Sequence, residues 1–143
     1  MSFPQMIRPE EPSGASRPSY SLSPSLQGAG LTLPTRIAFI GNYLPRRCGI
    51  ATFTTDLCIA MAAEYGAERM FAIPVNDPDS NYQYPEQVRL ELAQDDRYSY
   101  ERAAEFLNFN GNDLVCLQHE YGIYGGDAGS YILTLLRRLK CHS

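Results

Sequence analysis

Short apolar runs alternate with segments of helical periodicity along most of this chain, and this alternation restricts the possible folds more than any other feature. Arg36–Gly41 is an apolar run that ends in glycine, which is typical of a buried parallel strand. Ile50–Tyr65 then follows with a helical period, and runs of both kinds continue to Leu139. Parallel strands need long crossover connections, which helices usually supply. We therefore expect an α/β fold: a Rossmann-like parallel sheet with helices on both faces.

The pattern predicts four strands and three helices. The strands are Arg36–Gly41, Arg69–Asn76, Gln87–Leu92 and Asp113–Gln118. The second should end near an edge or a bulge, because Pro74 lacks an N–H, and the fourth should be buried. The first helix should bury Phe53, Leu57, Ala60 and Met61, and the second should run from a Ser99 cap to Asn110. The last helix carries its apolar stripe at Ile132, Leu135, Leu136 and Leu139.

Composition divides the chain near residue 35. Residues 1–35 hold most of the prolines, many serines and no apolar period, so we expect a disordered tail. Residues 36–143 should form an incomplete Rossmann-like domain, because the chain stops four residues after Leu139, where a further strand is expected. The sequence contains neither a secretory signal pattern nor an apolar stretch long enough to cross a membrane.

Charge and cysteine usage narrow the functional class. The net charge of −4 comes from residues 36–143, and a mildly acidic domain lacks the basic surface that nucleic-acid binding requires. The four cysteines form no C-x-x-C pair, and two of them fall within apolar segments. These features favour reduced thiols and a cytoplasmic location over a disulfide framework.

The first candidate loop follows the first strand, over Gly41–Phe53. Gly49 stands at the entrance of the next helix, where unpaired amides and the helix dipole favour an anion. Arg46 and Arg47 add positive charge beside it. The spacing of Gly41 and Gly49 excludes the G-x-G-x-x-G fingerprint. The loop is either a phosphate site or a solvated basic turn that needs a glycine.

The second candidate loop follows the fourth strand, over Gln118–Gly129. His119 and Glu120 begin it, and Gly122, Gly125, Gly126 and Gly129 allow a backbone to approach a ligand closely. The start resembles H-E-x-x-H, but Ile123 occupies the second histidine position and the segment is not helical, so we expect no metal. His119 and Glu120 either contact a ligand or bind neighbouring backbone.

Other polar clusters carry less weight. Asp95 and Asp96 precede a helix, where carboxylates stabilise the helix dipole. We assign the tyrosines at positions 82, 84, 98 and 100 to loop and surface packing.

The two loops together resemble the N-terminal domain of glycosyltransferase family 4, the group 1 glycosyltransferases of GT-B fold. The resemblance rests on Pro45-Arg-Arg-Cys-Gly-Ile-Ala-Thr-Phe53 after an opening strand, and on Leu117-Gln-His-Glu-Tyr-Gly-Ile-Tyr-Gly-Gly126 some 65 residues later. It implies a retaining transferase that moves a hexose from a nucleotide-diphosphate sugar to a glycan or lipid acceptor, with no cofactor. It also implies that the chain is an N-terminal fragment, inactive without a C-terminal domain.

The resemblance assigns roles to individual residues. It places Gly49, Ile50 and Arg47 beside the donor diphosphate, and His119 against the donor sugar as the catalytic residue. Glu120, which would orient His119, and Gly122 and Gly126 would support the site.

Two alternatives come from other functional classes. One is a non-catalytic Rossmann-like module that binds an anion, a sugar or a protein. The other is a flavodoxin-like or receiver-type switch domain, which requires an acidic cluster at the end of the first strand, where this chain has Gly41-Asn42.

Overall fold

The computed structural model describes residues 36–140, and within them a four-stranded parallel sheet carries helices on both faces. The elements, in chain order, are β1 (Ile37–Gly41), α1 (Gly49–Tyr65), β2 (Met70–Asn76), β3 (Leu92–Ala93), α2 (Arg97–Phe109), β4 (Leu114–Leu117) and α3 (Tyr131–Arg138). The strand order is β3-β2-β1-β4. The predicted fold class is therefore confirmed. The predicted tail, at residues 1–35, and the last three residues lie outside the described part.

Alternate side chains of β1 and β2 build two separate cores, one on each face of the sheet. Ile37, Phe39, Met70 and Ala72 pack with Cys58 of α1 on one face. On the other face, Ala38, Ile40, Phe71, Ile73 and Val75 pack against α2 and α3. The period of two along each strand assigns successive residues to opposite faces, so both faces of the central strands are buried.

The first helix turns a different face to the sheet than its large apolar residues suggest. Its buried residues are Ala51, Thr54, Thr55 and Cys58, whereas Phe53 is 55% exposed and Ala60 is also exposed. The prediction for Phe53 and Ala60 was wrong. Small side chains allow the helix to approach the sheet closely. Burial of the two threonines is tolerated because their hydroxyls donate to the carbonyls of Ile50 and Ala51, both at 2.8 Å.

The third strand is shorter than predicted. Only Leu92 and Ala93 pair regularly with β2, and an isolated bridge joins Val88 to Ala72. Ala72 pairs with Val88 and Val75 pairs with Leu92, so three residue steps along β2 lie opposite four steps along the neighbouring segment. The register therefore shifts by one residue beside Pro74. Proline cannot donate to a ladder, and its place next to this irregularity fits its usual confinement to bulges and edges.

Two predictions at the second helix and the fourth strand were also wrong. The cap of α2 is Asp96, whose carboxylate accepts from the amide of Tyr98, and Ser99 instead exchanges hydrogen bonds with the backbone of Ala93. β4 was expected to be buried, yet Leu114 is exposed and the other three residues are half-buried. Within residues 36–140, β4 pairs only with β1, so its other edge is open.

Two adjacent leucines of α3 test how this helix packs against the rest of the domain. Leu135 is fully buried, whereas Leu136, which the sequence placed on the same stripe, is 41% exposed. We expect Leu135→Ala to lower the free energy of unfolding by about 2–5 kcal/mol, because it leaves a cavity against α2. Leu136→Ala should cost less than about 1 kcal/mol. Urea denaturation of the full chain measures both, and equal losses would contradict the observed orientation of α3.

Candidate functional site

The two candidate loops leave the sheet at the same edge, from neighbouring strands. β1 and β4 are adjacent and parallel, so the residues that follow Gly41 and Leu117 emerge side by side. The amide of Gln118 donates to the carbonyl of Ile40 at 2.8 Å. A Cβ on Gly41 would lie 2.9 Å from Cβ of Gln118, so a glycine permits this approach. The carboxyl edge of an open parallel sheet is where ligands of such folds bind.

The loop after β1 ends in an unusual cap on α1. Cys48 is the N-cap residue, and its Sγ accepts from the amide of Ala51 at 3.4 Å. Asn42, only 3% exposed, donates its amide hydrogen to the same sulfur at 3.5 Å. Within the described part of the chain, the amides of Gly49 and Ile50 have no recorded acceptor. These two N–H groups and the positive end of a 17-residue helix form the place where an anion is favoured.

The two adjacent arginines have different surroundings. Nη1 of Arg46 lies 2.8 Å from Oδ1 of Asp77 and donates to Oδ1 of Asn42 at 3.1 Å. The Arg46 side chain is 21% exposed. Arg47 is exposed, and no ion pair or hydrogen bond of its side chain is recorded among residues 36–140. Arg47 is therefore the cation that remains available to a ligand beside Gly49.

The loop after β4 holds exposed functional groups on a rigid base. His119 and Glu120 are exposed, and the His119 ring lies 5.9 Å from the Tyr124 ring, centre to centre. The Tyr124 hydroxyl donates to the carbonyl of Gln118 at 2.6 Å. Burial raises the pKa of Tyr124, and nearby Tyr100 adds to the shift, so the donating hydroxyl remains protonated at neutral pH. No hydrogen bond between Glu120 and His119 is recorded within the described residues.

The glycines of this loop serve two purposes. Gly122 and Gly126 have φ of 88° and 81°, a region that favours glycine. Gly125 is buried, and its amide donates to the Tyr100 hydroxyl at 3.1 Å. That hydroxyl in turn donates to the carbonyl of Gln94 at 2.9 Å. A side chain on Gly125 would collide with the same carbonyl. The loop is thereby fixed against the end of β3.

Tyr100 and Asn42 are structural parts of the site that the sequence did not reveal. Tyr100 was assigned to surface packing, which was wrong: it is fully buried between the end of β3 and the Gly125 turn. The sequence did contain a signal for its burial: Tyr100 lies one turn into a helix, on the same face as Ala103, Ala104 and Leu107. For Asn42, the only signal in the sequence was its position directly after a buried strand.

Two cavities lie at opposite ends of the sheet, and only the first is near the candidate loops. The first, about 450 Å³, opens at the carboxyl ends of β2 and β3 and is strongly acidic. It is lined by Asp77, Asp79, Glu91, Asp95, Asp96 and Arg102, among others. The second, about 380 Å³, lies around the amino ends of β1 and β2, far from both candidate loops. Among residues 36–140, no three His, Cys, Asp or Glu side chains are grouped so that they could hold a metal ion.

The sequence-derived site residues thus fall in two neighbouring places. Gly49, Ile50 and Arg47 lie at the start of α1, and His119, Glu120, Gly122 and Gly126 lie on the loop after β4. None of the helices formed by residues 36–140 has the length and apolar character needed to cross a membrane. Comparison with family models, curated proteins and solved structures gives no match.

Two glycine substitutions test which loop tolerates a side chain. Gly125→Ala should destabilise the chain by about 1–3 kcal/mol, because the added methyl group displaces the Gln94 carbonyl or the loop. A Cβ at Gly49 would have no atom within 4 Å, so Gly49→Ala should leave the free energy of unfolding unchanged or raise it slightly. Urea denaturation compares the two variants. A neutral Gly125→Ala would show that the turn is not fixed as described.

Proposed function

We propose that this chain is the N-terminal domain of a retaining glycosyltransferase that takes a hexose from a nucleotide-diphosphate sugar. One observation carries the proposal. The two motif-bearing loops, separated by some 65 residues in sequence, leave adjacent parallel strands at one edge of the sheet. Within residues 36–140, one loop offers two amides without an acceptor and an arginine without an ion-pair partner, and the other offers an exposed histidine.

The start of α1 is suited to the donor diphosphate. The amides of Gly49 and Ile50 and the Arg47 guanidinium can together donate to phosphate oxygens, and the helix dipole adds to the attraction. Gly49 leaves open space where another residue would project a side chain.

The loop after β4 is suited to the sugar. His119 is exposed at the carboxyl end of β4, and its imidazole can stabilise the charge that develops as the glycosidic bond to phosphate breaks. Glu120 adjoins it, and Gly122 leaves open space toward a ligand, whereas Gly126 supports the loop because a side chain there would collide with Tyr131.

Turnover in this proposal requires a second domain that binds the nucleotide and closes the cleft. The acceptor is a glycan or a lipid headgroup, no cofactor takes part, and the reaction occurs in the cytoplasm. Without the second domain, the described residues bind the donor weakly and do not turn it over.

Ligand binding by the full chain tests the proposal. We expect UDP-, GDP- or ADP-linked glucose or mannose to shift backbone amide resonances of Gly49 and Ile50 in heteronuclear NMR titrations. Arg47→Ala should weaken binding about fivefold, because it removes one exposed charge-assisted contact worth about 1 kcal/mol. His119→Ala should weaken binding of the sugar nucleotide but not of the nucleoside diphosphate that lacks the sugar.

Arg137→Ala is the matched control. Arg137 lies in the last turn of α3, and the adjacent Arg138 carbonyl accepts from Asn108 at the end of α2, where β4 begins. This is the edge of the sheet opposite the candidate loops, so loss of Arg137 should not change the affinity. Equal effects of the two arginine variants, or no resonance shift at millimolar donor, would contradict the proposal. Equal binding of inorganic phosphate and sugar nucleotides would instead favour a non-catalytic anion-binding module.

A further inference from the structure

A continuous set of polar contacts joins the end of β2 to the first turn of α1. Asp77 follows β2 directly, and its Oδ1 lies 2.8 Å from Nη1 of Arg46. The same nitrogen donates to Asn42 Oδ1 at 3.1 Å. The side-chain Nδ2 of Asn42 donates to Cys48 Sγ, which also accepts from the backbone amide of Ala51. Five residues from two separate parts of the chain, 42–51 and Asp77, are therefore linked in one row of contacts.

Both ends of this row are fixed by further contacts. The Tyr82 hydroxyl donates to Oδ2 of Asp77 at 3.2 Å, and the Ser80 hydroxyl donates to the Asp77 carbonyl at 2.7 Å. At the other end, the amide of Thr52 donates to the carbonyl of Cys48 at 3.2 Å. Asp77 therefore cannot follow a displaced Arg46 without breaking contacts of its own.

The contacts of Arg46 separate its role from that of Arg47. Nη1 of Arg46 donates a hydrogen bond to Asn42 within the loop and forms an ion pair with Asp77, which follows β2. A carboxylate 2.8 Å away also offsets its charge. Arg46 therefore attracts an anion less strongly than Arg47, which has no carboxylate partner among residues 36–140.

We propose that Arg46 is a positioning residue for the anion site at the start of α1, an inference that rests on the proposed function of that site. Arg46 ties Asn42 to Asp77, and Asn42 holds the Cys48 sulfur over the Ala51 amide. Cys48 thus consumes the third N–H of the helix and leaves those of Gly49 and Ile50 for the ligand. The arrangement of the anion site then depends on Arg46 through Asn42 and Cys48 rather than through a contact of Arg46 with the ligand.

Amide hydrogen exchange in the ligand-free full chain tests the row of contacts directly. Arg46→Ala should make the Ala51 amide exchange about fivefold faster, the effect of losing one hydrogen bond of ordinary strength. Arg46→Lys should largely restore protection, because an ammonium group can donate to both Asp77 and Asn42. The amide of Ala103, in the buried part of α2, is the internal reference for global unfolding.

A pair of aspartates provides the matched control. Asp77→Asn should speed exchange at Ala51, because it removes the charge opposite Arg46. Asp79→Asn should not, although Asp79 lines the same acidic cavity and its positive φ of 61° suits asparagine. Unchanged Ala51 exchange in Arg46→Ala, or an equal acceleration at Ala103, would overturn the inference.

Binding of UDP-glucose as the probe separates this inference from the proposed function. If both hold, Arg46→Ala weakens binding and speeds Ala51 exchange, Arg46→Lys restores both, and Arg47→Ala weakens binding alone. Failure of the wild-type chain to bind any sugar nucleotide overturns the proposed function, and the exchange data still decide whether Arg46 positions the loop. Wild-type binding that Arg46→Ala leaves unchanged overturns the positioning role alone.

Discussion

The parallel contact between β1 and β4 is the constraint on which the candidate site depends. All five residues of β1 are buried, and β1 pairs with β2 on one side and β4 on the other. Because strands of the same direction end at the same edge, the start of α1 and the loop after β4 become neighbours. Gly41 brings the two strand ends together where a larger residue would meet Gln118. If β4 paired elsewhere, Gly49 and His119 would belong to unrelated surfaces.

The distribution of charge at this edge favours one direction of approach for an anion. The cavity at the ends of β2 and β3 is lined by five carboxylates and one arginine, and Arg102 already pairs with Asp96. An anion in that cavity would meet uncompensated negative charge. The ion pair of Arg46 with Asp77 lies at the border and neutralises one carboxylate. Arg47 and the two α1 amides that have no acceptor among residues 36–140 lie on the loop side, so an anion is attracted there and repelled from the adjacent cavity.

The sequence predicted the fold class and the edge at which the candidate loops lie, because strand period, helix period and glycine-rich connections are local signals. It did not predict which face α1 buries. Phe53 is more apolar than Thr54, but the helix approaches the sheet too closely for the larger side chain, and threonine can satisfy its own hydroxyl within the helix. The sequence pattern favoured Ser99 as the cap of α2, but its hydroxyl instead bonds the backbone of Ala93, a tertiary contact that a local pattern does not show. Arg46 and Arg47 differ in role because Arg46 pairs with Asp77, some 30 residues away in sequence. No local sequence pattern could reveal this difference.

The same edge combines a rigid base with exposed reactive groups. Tyr100, Tyr124 and Gln94 fix the backbone of the loop after β4, whereas His119, Glu120 and Tyr121 project into solvent, the last at 92% exposure. Preorganised groups lower a reaction barrier most where water is excluded, since the interaction of charges falls steeply with the local dielectric constant. In water, an imidazole beside a departing phosphate contributes little. A catalytic role for His119 therefore requires a second surface that covers this edge, whereas binding through the amides of Gly49 and Ile50 does not.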